Sequence, residues 1–169
     1  IESGAFRDCT SLTSVTIPGS VTSIEGYAFA YCSALTSLII HDGTTSIGIS
    51  AFMNCTSLGS VTIPRSVTDI GGYAFGSCRS LVDVYYGGTE TDWTKITIGN
   101  GNGNLTSATL HCAPDAPVVK LGNSATSGKP MLTWKAVEGA TSYRIYRSTS
   151  KGSGYSLLGT TTATSYTNT

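Results

Sequence analysis

The sequence predicts a mainly β chain: a solenoid of stacked 23-residue units, with short parallel strands and helical turns, followed by a partial β-sandwich. Three observations carry this. Residues of one type recur at a fixed step of 23 through the first half of the chain. Each unit contains a short alternating apolar stretch, closed by Pro18 and Pro64 in two of the copies. Past "APDAP", Ala113 to Pro117, the step of 23 vanishes and plain alternation replaces it.

The repeat comes first because internal periodicity dictates the fold. Phe6, Phe29, Phe52 and Phe75 form one column, and Cys9, Cys32, Cys55 and Cys78 another. Leu12, Leu35, Leu58 and Leu81 form a third. Ala5, Ala28, Ala51 and Ala74 keep the same register, as do Ile1, Ile24, Ile47 and Ile70. A unit this short cannot bury its own core, so neighbours must stack.

Within "AFMNCTSLGSVTIP", Ala51 to Pro64, residues Leu58, Val61 and Ile63 point inward, while Ser60 and Thr62 alternate outward on a short strand. Pro64 has no N–H for the ladder and stops it. "AFMNC" is expected to form a single helical or 3₁₀ turn that swings Phe52 inward. Stacked copies give a parallel sheet with about 4.8 Å between repeats.

The unit in "IGISAFMNCTSLGSVTIPRSVTD" resembles the BspA-type leucine-rich repeat of bacterial cell-surface proteins. The resemblance is tight over residues 1 to about 86 and looser to about 112. It implies a right-handed solenoid, extracellular display, and binding of host or neighbouring-cell molecules.

The cysteines are read as packing residues. A single-file column offers neither the converging β-carbons of a disulfide nor the convergent ligands of zinc. Buried cysteine behaves as a small hydrophobe. Cys112, in "ATLHC", is outside the column and is expected in a closing strand.

After Leu81 the pattern decays, and residues 87–112 are expected to cap a solenoid domain spanning 1–112. Thr89 followed by Asp92 resembles a capping box opening a helix from Thr89 to about Ile96. Trp93 then covers the end of the core. "IGNGNGN" reads as a glycine-rich turn, without calcium-ligand aspartates or a phosphate-loop lysine. "LTSATLHC" is expected to be a final strand, with Leu105, Ala108 and Leu110 inward.

Residues 113–117 read as a stiff linker. In 118–169, "MLTWKAV", "TSYRIYRSTS" and "YSLLGTTTATSYTNT" alternate between turn signals at "EGA" and "KGSG". "LTWKAVEGATSYRIYRS" resembles the second and third strands of a fibronectin type III domain. That resemblance makes Trp134 the core tryptophan, with Tyr143 and Ile145 packed inward. It also implies seven strands, whereas the chain has residues for five. Truncation of a longer modular protein, or a partner covering the open edges, is the expectation. The start at Ile1, in mid-pattern, likewise marks the chain as a fragment, so missing targeting signals say nothing about location.

Composition narrows function. Charged residues are 12% of the 169, and the net charge is zero. No Lys/Arg run invites nucleic acid, and no apolar run is long enough for membrane insertion. His41 and His111 are far apart in sequence, carboxylates form no repeated column, and no hydrolase, metalloprotease or nucleotide motif is present. No catalytic residue, cofactor or metal is therefore expected. His41 reads as a solvated turn residue.

Function is sought on outward positions of the strands. One row holds Ser14, Ser37, Ser60 and Asp83, and the next Thr16, Ile39, Thr62 and Tyr85. Ile39 and Tyr85 break a Ser/Thr surface, and Tyr is favoured at contacts. Tyr86 matches inward Ile63, while Tyr27 and Tyr73 share a column of undecided role. The candidate face is Ser37, Ile39, Ser60, Thr62, Asp83 and Tyr85. The expected function is non-catalytic extracellular adhesion, through protein–protein contact with a host or bacterial surface protein or glycoprotein. The alternatives left open are an accessory region of a large secreted glycosidase or peptidase, and a pure spacer.

Overall fold

The computed structural model describes residues 1–113, 117–123, 128–137, 140–147 and 156–167. Two compact units divide the chain, Ile1–Ala113 and Pro114–Thr169. The expected linker's residues 114–116, and the turn signals at 138–139 and 151–154, lie outside the described residues.

In the first unit the elements follow in order: β1 (Ser14–Ile17), β2 (Ser23–Ile24), β3 (Ser37–Ile40), β4 (Ser46–Ile47), β5 (Ser60–Ile63), β6 (Asp69–Ile70) and β7 (Asp83–Tyr86). Then come α1 (Glu90–Trp93), β8 (Thr97–Ile98), α2 (Gly103–Ser107) and β9 (Thr109–Cys112). The four-residue strands β1-β3-β5-β7-β9 form one parallel sheet, in chain order. The Ile24, Ile47 and Ile70 positions build a second parallel sheet, β2-β4-β6-β8, which the column of isoleucines had not announced as strand.

Between the sheets the repeated apolar columns form one core. Phe29, Phe52, Phe75, Leu35, Leu58, Ile47 and Ile70 are at most 2% exposed. The phenylalanine rings stack coil upon coil at 4.9, 5.2 and 5.3 Å, with planes within 14°. Offset stacking of this kind adds about 0.5–1.5 kcal/mol per pair beyond area burial.

The "AFMNC" segment is neither helical nor 3₁₀, which corrects the expectation. Ser50 and Asn54 sit at φ 55° and 59°, in the left-handed region, and interrupt any run of helical residues. Amides alternate instead. Ser50, Phe52 and Asn54 donate to Gly72, Ala74 and Gly76 of the next coil at 2.8–3.0 Å. Ala51, Met53 and Cys55 donate back within their own turn. The segment is thus a third hydrogen-bonded ladder along the solenoid, and buried backbone groups are satisfied without helix or sheet.

Coils also approach closely after three of the second-sheet isoleucines, Ile47, Ile70 and Ile98. A Cβ on Gly48, Gly71 or Gly99 would lie 2.5–2.6 Å from backbone nitrogen of the preceding coil. Glycine alone permits that approach.

Residues 87–112 continue the stacking, with insertions. Asp69 pairs with Thr97 and Asp83 with Thr109, steps of 28 and 26 instead of 23. The helix over this region is shorter than expected: α1 covers Glu90–Trp93 only, with Thr89 Oγ1 accepting from the Asp92 amide at 3.2 Å. Trp93 meets the Tyr86 ring edge-on at 5.2 Å. "LTSATLHC" is not one strand. Leu105 is buried from α2, and the strand begins only at Thr109, with Ala108 the α2 C-cap.

The second unit contains β10 (Val119–Asn123), β11 (Pro130–Trp134), β12 (Tyr143–Arg147), β13 (Ser156–Thr161) and β14 (Ser165–Thr167). Strands β10-β11-β14 make one antiparallel sheet and β12-β13 another. Among its described residues, Trp134 and Ile145 are the buried large ones, at 8% and 7% exposed. Tyr143 packs edge-on against Trp134 at 5.2 Å, and its hydroxyl accepts from the Val137 amide.

Candidate functional site

The strand pleat decides which side chains reach solvent. On β3, β5 and β7 alternate residues Leu38, Val61 and Val84 are buried, as are Ile40, Ile63 and Tyr86. The six candidate positions between them therefore share the outer face of the five-stranded sheet. Ser37, Ser60 and Asp83 lie in one register row, and Ile39, Thr62 and Tyr85 in the next. Ile39 is 38% exposed and Tyr85 45%.

A residue the sequence reading passed over completes this face. His111 pairs in register with Tyr85 and stacks on its ring at 4.7 Å, with the planes 14° apart. Its Nε2 lies 2.8 Å from Asp83 Oδ1. Asp83, His111 and Tyr85 thus form a mutually supported cluster at the C-terminal side of the sheet. Aligning "TLHC" with "DVYY" would have placed His111 in the row, but the step of 26 hid that alignment. His41 is exposed on the turn after β3, where its amide donates to Ile17 at 3.0 Å. Tyr86 points inward, and burial pushes its hydroxyl pKa upward.

Tyr27 and Tyr73 are exposed, and both occupy the left-handed region at φ 58° and 57°. The Arg7 guanidinium lies over Tyr27 and Tyr31 at 5.7 and 5.3 Å. This corner lies on the third ladder, away from the strand face.

The cysteines have a definite place. Cys32, Cys55 and Cys78 are fully buried, and each thiol donates to a phenylalanine carbonyl of the preceding coil, Phe6, Phe29 and Phe52, at 3.2–3.3 Å. Burial pushes all three thiols up, Cys78 to about 12. Such thiols are poor nucleophiles. Among the described residues, no group of three or more His, Cys, Asp or Glu side chains is placed to hold a metal ion.

Asn102 is a second residue that the sequence reading missed. It is 3% exposed, within what had been read as a plain glycine-rich turn. Its Oδ1 accepts from the Phe75 amide at 2.9 Å, and its Nδ2 donates to Gly71 and Gly99 at 3.0 and 2.8 Å. In earlier coils the corresponding phenylalanine amides, Phe29 and Phe52, find a backbone carbonyl of the next coil. Here a side chain substitutes for that carbonyl.

Parallel short strands, buried repeat columns and a polar outer face define a leucine-rich repeat solenoid. The chain belongs to the family described as the BspA type leucine rich repeat region (6 copies), which matches residues 1–107. Similar solved structures include the leucine rich repeat protein TpLRR of T. pallidum, at 32% identity and TM-score 0.48, with 67% of this chain and 44% of that one covered. A leucine rich cell surface protein from Faecalibacterium prausnitzii A2-165 shows 31% identity and TM-score 0.49, covering 57% of this chain and 32% of that one. The chain therefore spans less than half the length of either protein. No curated protein matches it.

Proposed function

We infer that the first unit is a non-catalytic binding and adhesion platform of a bacterial cell-surface or secreted protein. It recognises a host or neighbouring-cell protein or glycoprotein by contact across the strand face. The observation that carries this reading is the Ile39–Tyr85–His111 row, exposed on an otherwise hydroxyl-rich sheet. Aromatic anchors in a neutral polar surround are what protein contact sites favour. Membership of the BspA type repeat family supports surface display. The second unit is read as a fibronectin type III-like spacer, on the strength of Trp134, Tyr143 and Ile145 packed between two small antiparallel sheets.

Immobilised matrix proteins and mucins, probed with the full chain by surface plasmon resonance, test the reading. Binding by the wild type that weakens in Tyr85→Ala and Ile39→Ser is expected. Binding indifferent to both substitutions would leave the face without a role.

A further inference from the structure

Along the outer row, side-chain size rises and falls: Thr16, Ile39, Thr62, Tyr85 and His111 stand side by side on β1, β3, β5, β7 and β9. Because Tyr85 and His111 stack at 4.7 Å across neighbouring strands, their ring normals run along the solenoid axis. His111 covers one face of the Tyr85 ring. The other face looks over Thr62 toward Ile39. Thr62 is the floor of a shallow seat, with Tyr85 as a tall wall and Ile39 as a low one. Thr16 forms a second seat beyond Ile39, open on its far side because β1 is the edge of the sheet.

Two strand spacings separate the seats, about 9.6 Å at ~4.8 Å each. A polyproline II chain rises ~3.1 Å per residue with three residues per turn, so it returns a side chain to the same face every ~9.3 Å. An extended β-strand repeats at about 6.6–6.8 Å and falls out of step. We propose that the strand face binds a proline-rich segment in the polyproline II conformation, laid along the solenoid axis with residues i and i+3 over Thr16 and Thr62. This rests on the reading of that face as the contact surface, and names the chemistry of the partner.

Four further features fit that occupant. The walls are an aromatic ring and an aliphatic chain, which suit an uncharged ring such as proline. The one carboxylate in the two rows, Asp83, already has an oxygen 2.8 Å from His111, so no charge on the ligand is called for. A polyproline II chain makes no internal hydrogen bonds, and Ser37 and Ser60 in the adjoining row offer hydroxyls to its carbonyls. The Asp83–His111 contact and the ring stack hold Tyr85 in place before binding, which reduces the ordering cost.

The test is calorimetric titration of the full chain with a poly-L-proline oligomer of about a dozen residues, long enough for several turns. A Gly/Ser oligomer of equal length is the control. Saturable binding of poly-L-proline alone is expected, weakened about tenfold or more by Thr62→Trp, which fills the seat, and by Tyr85→Ser, which removes its wall. Both positions face outward, and a cooperative melt retained by each variant confirms an intact fold. Absence of saturable binding, or binding equal in wild type and both variants, overturns the proposal. The immobilised matrix proteins, run in parallel, separate the two readings. A matrix protein whose binding needs Tyr85, with poly-L-proline inert, sinks the polyproline assignment and leaves the contact face standing.

Discussion

The buried thiol column makes alkaline pH a selective perturbation of the first unit. Cys55 and Cys78 are raised from an ordinary thiol value of 9.0, first by desolvation on burial, Cys78 to about 12. A thiol that stays protonated in the fold while ionising in the unfolded chain favours unfolding as pH rises. The unfolded state binds fewer protons from pH 9 upward, so stability falls between 9 and about 12. Each such thiol contributes about 1.4 kcal/mol per pH unit in that window. The two together remove about 3 kcal/mol by pH 10, and the matching loss in melting temperature is roughly 10 °C for a unit of this size. Circular dichroism melts of the full chain at pH 7, 9 and 10, under reducing conditions, measure it. The double variant Cys55→Ala with Cys78→Ala is less stable at pH 7, yet its melting temperature declines less from pH 9 to 10. Parallel pH curves for wild type and double variant would refute the coupling of thiol burial to stability.

Asn102→Ala leaves the Phe75 amide buried without its acceptor and removes two further bonds, costing about 2–5 kcal/mol in urea unfolding. Phe52→Ala, at the centre of the ring stack, costs about 3–5 kcal/mol by the same measurement. Cys32, Cys55 and Cys78 resist a thiol reagent until denaturant is added, whereas half-buried Cys9 reacts in the native state; mass-spectrometric site mapping resolves them. Tyr85→Ala gives up the ring stack on His111 and costs about 0.5–1.5 kcal/mol in urea unfolding while the chain stays folded, so loss of binding by the folded variant is read as loss of contact.

Where repetition was strict, the fold was legible in the sequence. Five columns at a step of 23 located the core because each buried side chain meets its own copy in the next coil, as the Phe stack shows. Alternation within "LGSVTIP" then divided inward Val61 and Ile63 from outward Ser60 and Thr62, and the strand register agrees. The helical turn at "AFMNC" was misread because local propensity says nothing about amides that bond between coils. Ser50 and Asn54 adopt left-handed φ so that alternate amides reach the next coil, a constraint set by stacking. The second sheet was missed for a related reason. Two-residue strands such as Ser46–Ile47 are too short to show alternation, and exist only through their parallel neighbours.

The last coil shows why the candidate face was only partly legible. Its step of 28 comes from residues inserted around α1, and its step of 26 from that insertion less a shorter connection between β8 and β9; they move His111 out of the column count while leaving it in the spatial row beside Tyr85. The same departure frees Asn102 to close the third ladder with a side chain instead of a carbonyl. A repeat that ends must satisfy donors that the next unit would have met, and this demands residues unlike the repeat. Departure from the pattern therefore marks both the structural closure and the one cluster where Asp83, Tyr85 and His111 meet. The inward columns are constrained by stacking, so substitutions there change stability. The outer row is not, which leaves size and charge at Thr16, Ile39, Thr62 and Tyr85 able to vary while the core stays the same.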